Sequence, residues 1–376
     1  MFSAVLFCRM KIAFIGGRNI HKLGGIENYM YNLATELVKR GYEPIVFCES
    51  DRNGTEWVNG FQVVHQKSLN SKFWNKPILG LKAIVRILRY DKTVNILHFN
   101  AGGPAYFAWI ARMFGRITIY QGHGIEWRRT KWKWYQRLIM RLTNAYVVLL
   151  CTKYATAVSE EQTEMLNRLY HKKCVTIPTA VNMPVCSVES AVLQQYGLEN
   201  NDYFLFLGRL VQDKNPDYLI RAYIQSGIID KKLVIAGSND ADPAYVRQLK
   251  EMAQEYENII FTGAVYGVDK EKLLESCFAF CIPSTIEGLA ITLLEAMSYG
   301  KICIASDILA NKEGLGENGL WVKAEDEESL CRAMKYVCEH HSELKKSGIL
   351  NQNRVKTHFT WDKIAGKYEL FIKSLK

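Results

Sequence analysis

The sequence predicts an α/β protein built from two successive halves, each with a parallel sheet. Three observations carry that reading. An apolar run, Lys11 to Gly17, enters a glycine-bearing loop closed by Gly24-Gly25, and apolar residues at helical spacing follow from Asn28 to Arg40. The same order returns later, where Tyr203 to Leu207 runs into Gly208 and a helix begins after Pro216. The chain has 376 residues, 48% apolar and 23% charged, which is long for one core and comfortable for two domains.

In the first half, Gly41 caps the helix and Glu43 to Cys48 supplies a second strand, completing a βαβ unit. Six residues separate Gly16-Gly17 from Gly24-Gly25, so the G-x-G-x-x-G spacing of a dinucleotide fingerprint is absent. An ordinary βα turn and a loop approached by a ligand both fit. Phe61 to His65 reads as a strand, Leu79 to Tyr90 as a helix, and Asn95 to Asn100 as a buried strand ending at Ala101-Gly102-Gly103-Pro104. Arg116 to Tyr120 is a strand leading into Gln121-Gly122-His123. A histidine just past a strand's C-terminal end stands where open α/β sheets present chemistry, though such a residue can also cap a turn.

Residues 127–142 interleave Arg128, Arg129, Lys131, Lys133, Arg137 and Arg141 with four aromatics. The pattern suits an anionic membrane surface or a lipid phosphate. It also suits single-stranded nucleic acid, or a helix with core tryptophans and a solvated cationic face. Leu138, Ile139 and Leu142 are expected to continue as a buried stripe. Ala145 to Leu150 and Ala155 to Val158 read as short strands, Val175 to Pro178 as another, and Met183 to Glu189 as the linker.

In the second half, Gly208 opens a loop that carries Arg209 and Lys214, five apart, before Pro216. Both cations can converge on one anion, or pair at the surface with Asp213 and Asp217. Leu233 to Gly237 is the next strand. Asp240-Ala241-Asp242 has the form of a metal-binding Asp-x-Asp but reads equally well as a helix start before Pro243. Ile259 to Thr262 ends at Gly263-Ala264-Val265, and a short helix, Lys270 to Ser276, follows. Cys277 to Ile282 reads as a buried strand, Glu287-Gly288 as a turn, and Leu289 to Tyr299 as a helix capped by Gly300. Lys301 to Ser306 is the next strand. Glu287 and Glu295 stand eight positions apart, roughly 12 Å of rise if helical. That span matches a nucleotide sugar, and the N–H groups of a helix start suit its phosphates. The alternative is an amphipathic helix with Glu287 as a cap and Glu295 in solvent.

The phrase Glu287-Gly288-Leu289 … Leu294-Glu295-Ala296-Met297 … Gly300 resembles the E-x7-E element of family 4 glycosyltransferases, which are retaining enzymes of the GT-B fold. Residues 123–132, His-Gly-Ile-Glu-Trp-Arg-Arg-Thr-Lys-Trp, resemble a segment of a subgroup that builds surface polysaccharides, several of them rhamnosyltransferases. The resemblance runs from Met10 onward. It implies two Rossmann-like domains facing an interdomain cleft. Residues 1–184 with 360–376 would bind the acceptor, and 185–359 the nucleotide-sugar donor, with the last helix, Trp361 to Lys376, crossing back to the first domain. The resemblance further implies that Gly24 and Gly25 lie against the donor diphosphate and sugar, and that His123 sits at the reaction centre. Arg209 and Lys214, beside Gly208, would hold the diphosphate, with the helix start at Gly288, Leu289 and Ala290. Gly263 and Val265 would lie beside the nucleobase, Glu287 would contact the donor sugar, and Glu295 the ribose hydroxyls. Thr179-Ala180-Val181-Asn182 departs from the Asn-Gly-Val-Asp common there. No metal and no cofactor beyond the donor sugar are expected.

Composition bounds the partners. The formal charge is +10, but residues 1–184 hold 26 Lys and Arg against 11 Asp and Glu, and residues 185–376 hold 22 against 27. A basic first half invites a polyanion, acidic headgroups or a phosphorylated acceptor. A saccharide or lipid-diphosphate-linked saccharide acceptor at the inner face of the cytoplasmic membrane fits best, and nucleic acid is not expected. The ten cysteines are scattered without a Cys-x-x-Cys pair, which points to buried thiols in a reducing compartment. No apolar run approaches the ~20 residues of a membrane span. Met1 to Arg9 is too short for a signal peptide, and Met10 is the natural start of the first strand. Two rival readings stand beside the transferase: a catalytically silent polyanion- or membrane-binding module, and a nucleotide-sugar epimerase.

Overall fold

The computed structural model describes residues 10–375 except 22, 23, 70, 72, 130, 131, 186 and 239–241. The chain divides into two compact units. The described residues of Met1–Arg128, Trp132–Thr179 and Trp361–Lys376 form one, and those of Arg129–Lys131 and Ala180–Thr360 the other. The boundary falls at Thr179/Ala180, ahead of the expected residue 184. The reason is local: Val181 N–H donates to the Phe359 carbonyl at 2.9 Å and Val181 bridges Thr360, so this segment is tied to the second unit.

The first unit holds strands β1 (Lys11–Gly16), β2 (Glu43–Ser50), β3 (Gly54–Val58), β4 (Phe61–Lys67), β5 (Val94–Asn100), β6 (Ile117–Gly122), β7 (Tyr154–Ala157) and β8 (Cys174–Thr176). They form one sheet in the order β3-β4-β2-β1-β5-β6-β7-β8. Every pairing is parallel except β3 with β4, a hairpin the sequence reading missed because Gly54-Thr55-Glu56-Trp57-Val58 is mostly exposed and carries no apolar run. The central strands are buried on both faces, as parallel strands covered by helices must be. In the second unit β9 (Tyr203–Leu207), β10 (Lys232–Ala236), β11 (Ile259–Gly263), β12 (Ala279–Ile282), β13 (Cys303–Ser306) and β14 (Leu320–Val322) form a fully parallel sheet, in the order β11-β10-β9-β12-β13-β14. Phe204, Phe206, Leu233, Ile235, Cys281 and Ile304 anchor its core. Burial of each large apolar side chain there contributes roughly 1.5–3 kcal/mol.

Chain order reverses between β1 and β5 in one sheet and between β9 and β12 in the other. Such switch points leave a crevice at the strands' C-terminal ends. The strand ends are closely packed. A side chain on Gly237 would bring Cβ to 2.0 Å from the Gly208 carbonyl oxygen, and Gly237 N–H donates to the Gly263 carbonyl at 2.8 Å. The three glycines therefore join the ends of β9, β10 and β11.

Two expectations are corrected. Ala145 to Leu150 is not a strand: the helix Trp134–Tyr146 runs on into a π-helical turn, Val147–Cys151, whose last turn is closed by Thr152 N–H on the Val147 carbonyl. Leu138, Ile139 and Leu142 are not a buried stripe but 50%, 59% and 61% exposed. The helix has its apolar period, but Asn144 is its one buried residue among those described.

Two outcomes follow from packing and burial. Gly237→Ala should lower the stability of the second unit by about 1–3 kcal/mol through overpacking against backbone. Gly54→Ala, with open space and no positive φ, should be near neutral in the same denaturant titration. His98 lies wholly buried between Phe14 and Tyr368, its Nδ1 2.8 Å from the Tyr368 hydroxyl. Burial, helped by neighbouring His123, pushes its pKa down to about 3. Such an imidazole takes up its proton only on unfolding, so its share of stability is complete above about pH 6.5 and is lost as pH falls towards 3. His98→Gln should lower proton uptake on unfolding between pH 6 and 4 by about one proton, read from the slope of the unfolding constant against pH.

Candidate functional site

The second unit gathers its candidates at the β9/β12 switch point. After β9 the chain passes Gly208 and the exposed Arg209, makes a 3-10 turn at Gln212–Lys214, and enters a helix, Pro216–Ser226, through Asn215. Asn215 is left-handed at φ 50°, a conformation asparagine tolerates, and Pro216 sets the first helical φ. Its buried side-chain amide donates to the Pro283 carbonyl at 3.0 Å. Thr285 N–H and hydroxyl donate to the Asp213 carbonyl at 3.0 and 3.2 Å. The loop after β9 is thus stitched to the loop after β12. The result is an ion pair between Lys214 Nζ and Glu287 Oε1, with the acid's side chain 8% exposed. The surface pairing of Lys214 with Asp217 is not formed: Asp217 binds Arg221 at 3.1 Å and the Tyr245 hydroxyl.

The helix after this turn is Ile291–Ser298, two residues later than the periodicity predicts, with Ala290 as its N-cap. The first intrahelical bonds come from Leu293 and Leu294 N–H to the Ala290 carbonyl. Ala290 brings no side-chain cap and the first turn no acid, so the positive end of the helix is left to whatever anion approaches. Gly288 and Leu289 lie in the bend just ahead of the helix, with Leu289 buried. Glu295 is not a solvated residue: it accepts from Lys270 Nζ at 2.6 Å, a partner the sequence reading did not single out. Gly263 ends β11 at φ 71°, and Val265 follows, half-buried. Asp242 caps the helix Pro243–Ala253 by accepting from Tyr245 N–H at 3.1 Å, while residues 240 and 241 lie outside the described residues.

The first unit gathers its candidates at the ends of β1, β5 and β6. Gly24 is the N-cap of the helix Gly25–Lys39 and has no side chain to spare for the cap. The reason is Glu27, buried in the first turn, whose Oε1 accepts from Arg18 N–H at 2.5 Å. A Cβ on Gly24 would lie 2.1 Å from its other oxygen. Glu27 therefore organises the glycine loop from within. Lys76 Nζ holds the same loop by donating to the Gly17 carbonyl at 2.7 Å. His123 stands just past β6. Asn100 Nδ2 donates to the His98 carbonyl at 3.4 Å, which turns Asn100 Oδ1 towards His123 Nε2 at 3.3 Å. Nε2 is then the protonated nitrogen and Nδ1 the acceptor. Tyr29 packs edge-on against the ring at 5.1 Å. Burial pushes the His123 pKa down to about 3, so the imidazole is neutral at physiological pH. It can donate or accept a hydrogen bond but supplies no charge.

Glu27, Lys76, Asn100, Asn215, Gly237 and Lys270 are the residues that reading the sequence missed. Glu27 directly follows the glycine pair, three positions after the cap, and that spacing was the one available signal. The others act across 23 or more positions, where no local pattern marks them.

Comparisons with known proteins bear on the fold and the family. Residues 23–183 match the family described as Glycosyltransferase Family 4, and residues 190–353 match Glycosyl transferases group 1. The chain is 24% identical over 355 residues to O-antigen chain mannosyltransferase C of Escherichia coli, covering 92% of this chain and 93% of that protein. It is 26% identical over 251 residues to the UDP-Gal:alpha-D-GlcNAc-diphosphoundecaprenol alpha-1,3-galactosyltransferase of Escherichia coli, covering 63% of each. Among solved structures it resembles the sucrose-phosphate synthase of Thermosynechococcus elongatus, with a TM-score of 0.84, 18% identity, and 97% and 98% of the two chains covered. Two parallel-sheet Rossmann-like units, one carrying a cation loop against a helix start, and two glycosyltransferase matches that together span most of the sequence, lead to one assignment: the chain belongs to the family 4 glycosyltransferases, enzymes of the GT-B fold.

Proposed function

We propose that the chain moves a hexose, or a deoxy or acetamido hexose, with retention from a nucleoside-diphosphate sugar to a lipid-diphosphate-linked saccharide in surface-polysaccharide synthesis. One observation carries the proposal: the stitched loops that set Lys214 and Glu287 beside an uncapped helix start. Departure of the nucleoside diphosphate develops negative charge on its terminal phosphate. Arg209, Lys214 and the amides at Leu289 and Ala290 would stabilise it. Glu287, paired with Lys214, orients the sugar hydroxyls. Glu295, held by Lys270, takes the ribose hydroxyls. In the first unit neutral His123 orients the transferred sugar by hydrogen bonding, and the Gly24-Gly25 turn admits it without side-chain obstruction. The acceptor proton passes to the leaving phosphate on the same face, so no side-chain base is required and no metal enters the step.

The acceptor and the site of action rest on the helix Trp134–Tyr146. Its Lys133, Arg137 and Arg141 form an exposed cationic row beside exposed Trp134, Leu138, Ile139 and Leu142. A helix with that arrangement lies in the interface of an anionic bilayer. Among the described residues no helix is long and apolar enough to cross a membrane. The E. coli galactosyltransferase similar to this chain acts, by its name, on a diphosphoundecaprenol-linked sugar, which supports a lipid-linked acceptor here.

A thermal-shift screen against UDP-, GDP- and dTDP-sugars should find one donor that raises the melting temperature by mass action; no response to any nucleotide or nucleotide sugar would count against the reading. With that donor, Arg209→Ala and Glu287→Ala should each lower kcat by about 10²–10³-fold while circular dichroism is unchanged. Near-normal turnover in either variant rejects the site. In flotation with phosphatidylglycerol-containing vesicles the wild-type chain should rise with the lipid. The double variant Leu138→Glu, Ile139→Glu should stay below, and equal recovery of both would remove the membrane assignment.

A further inference from the structure

The first unit carries a second constellation that the transferase reading leaves unused. His21 Nε2 and His65 Nε2 both lie 2.7 Å from Glu56 Oε1. The three ligand atoms fall within 4.8 Å of one another. The residues come from three separate segments: the loop after β1, then β3, then β4. We propose that His21, Glu56 and His65 bind one divalent transition-metal ion of the Zn²⁺ class, a site distinct from the sugar-transfer chemistry and independent of it.

The sheet makes the site. Glu56 pairs opposite Val63 across the β3–β4 hairpin, so His65, two residues on, is its diagonal neighbour on the same face. Cys48 pairs opposite His65 across β2–β4, and its Sγ lies 3.5 Å from His65 Nδ1. That contact orients the ring so that Nε2 meets Glu56. In the metal-bound form the proton sits on Nδ1, facing the sulfur, and the Nε2 lone pair is free to ligate. A metal-binding histidine usually has an outer partner on its second nitrogen, most often a carboxylate, carbonyl or water; here that place is taken by the Cys48 sulfur. His21 is delivered by its loop, where its own N–H donates to Asn19 Oδ1 at 2.9 Å.

The donor set selects the ion. Two imidazoles and one carboxylate suit Zn²⁺, Co²⁺ or Ni²⁺, whereas Mg²⁺ and Ca²⁺ take oxygen ligands. Three protein ligands leave a fourth tetrahedral position for water. Access is open, since the His21 side chain is 55% and Glu56 38% exposed, while His65, at 12%, gives the fixed point. The alternative, one carboxylate oxygen accepting from two imidazole N–H groups, accounts for the distances but leaves the convergence of three segments on one point without a purpose. A bound ion would tether His21 to the β3–β4 hairpin without entering the reaction.

The test uses the full chain without a histidine tag, stripped with a chelator and titrated with ZnCl₂ alone by calorimetry. One saturable site per chain is expected, together with a rise in melting temperature and, with Co²⁺, the absorption of a tetrahedral centre. His21→Ala, on an exposed loop and without consequence for folding, should weaken binding at least tenfold and remove the Zn²⁺-dependent rise. Glu56→Gln, which keeps size and shape, should do the same. No saturable binding, binding unchanged in His21→Ala, or equal binding of MgCl₂ would each overturn the assignment.

Discussion

The contact on which the candidate donor site depends is the pair of hydrogen-bonded stitches between the loops after β9 and β12. Asn215 reaches the Pro283 carbonyl, and Thr285 reaches the Asp213 carbonyl. These are neutral bonds of ordinary strength, each worth about 1 kcal/mol net. Their consequence is geometric. They bring a lysine and a glutamate 73 positions apart into one ion pair where both are largely shielded from water. A shielded pair of this kind adds little to stability, because desolvation offsets attraction. It does fix the direction of both groups before a ligand arrives, and preorganisation of that sort is what electrostatic catalysis requires.

The two units handle polarity in opposite ways. The second presents charge at its strand ends: Arg209, Lys214 and a helix start lacking a side-chain cap. The first presents neutral groups at its own strand ends. His123 and His98 are both driven to the uncharged form by burial. Asn100 sets the tautomer of His123, and the buried Glu27 is consumed in holding the glycine loop. The division suits a reaction in which the leaving phosphate carries the growing charge and the sugar is a neutral body to be oriented.

The helix Trp134–Tyr146 shows where pattern reading stops. Its apolar residues recur at helical spacing, and that period is the same whether the stripe meets a core or faces outward. Periodicity therefore led to a buried stripe, and the structure has an exposed one. The interleaved cations were the better guide, since a stripe flanked by Lys133, Arg137 and Arg141 has no reason to enter a core. The π-helical turn that follows was unreadable for a related reason. Val147-Val148-Leu149-Leu150-Cys151 is a short apolar run, and such a run does not distinguish strand from helix.

Taken alone, the sequence determined the α/β class, the two halves, the strand–glycine–helix order of each, and the placement of Gly208, Arg209, Lys214, His123 and Glu287 at strand ends. Those follow from local patterns of burial and turn chemistry, which neighbouring residues write into the chain. Tertiary structure decided what touches what. It paired Lys214 with Glu287 and Lys270 with Glu295, made Gly237 obligatory against Gly208, and drew His21, Glu56 and His65 to one point. None of these could be read along the chain, because each depends on which strands lie side by side in the sheet. That order is set by the packing of the whole unit rather than by any stretch within it.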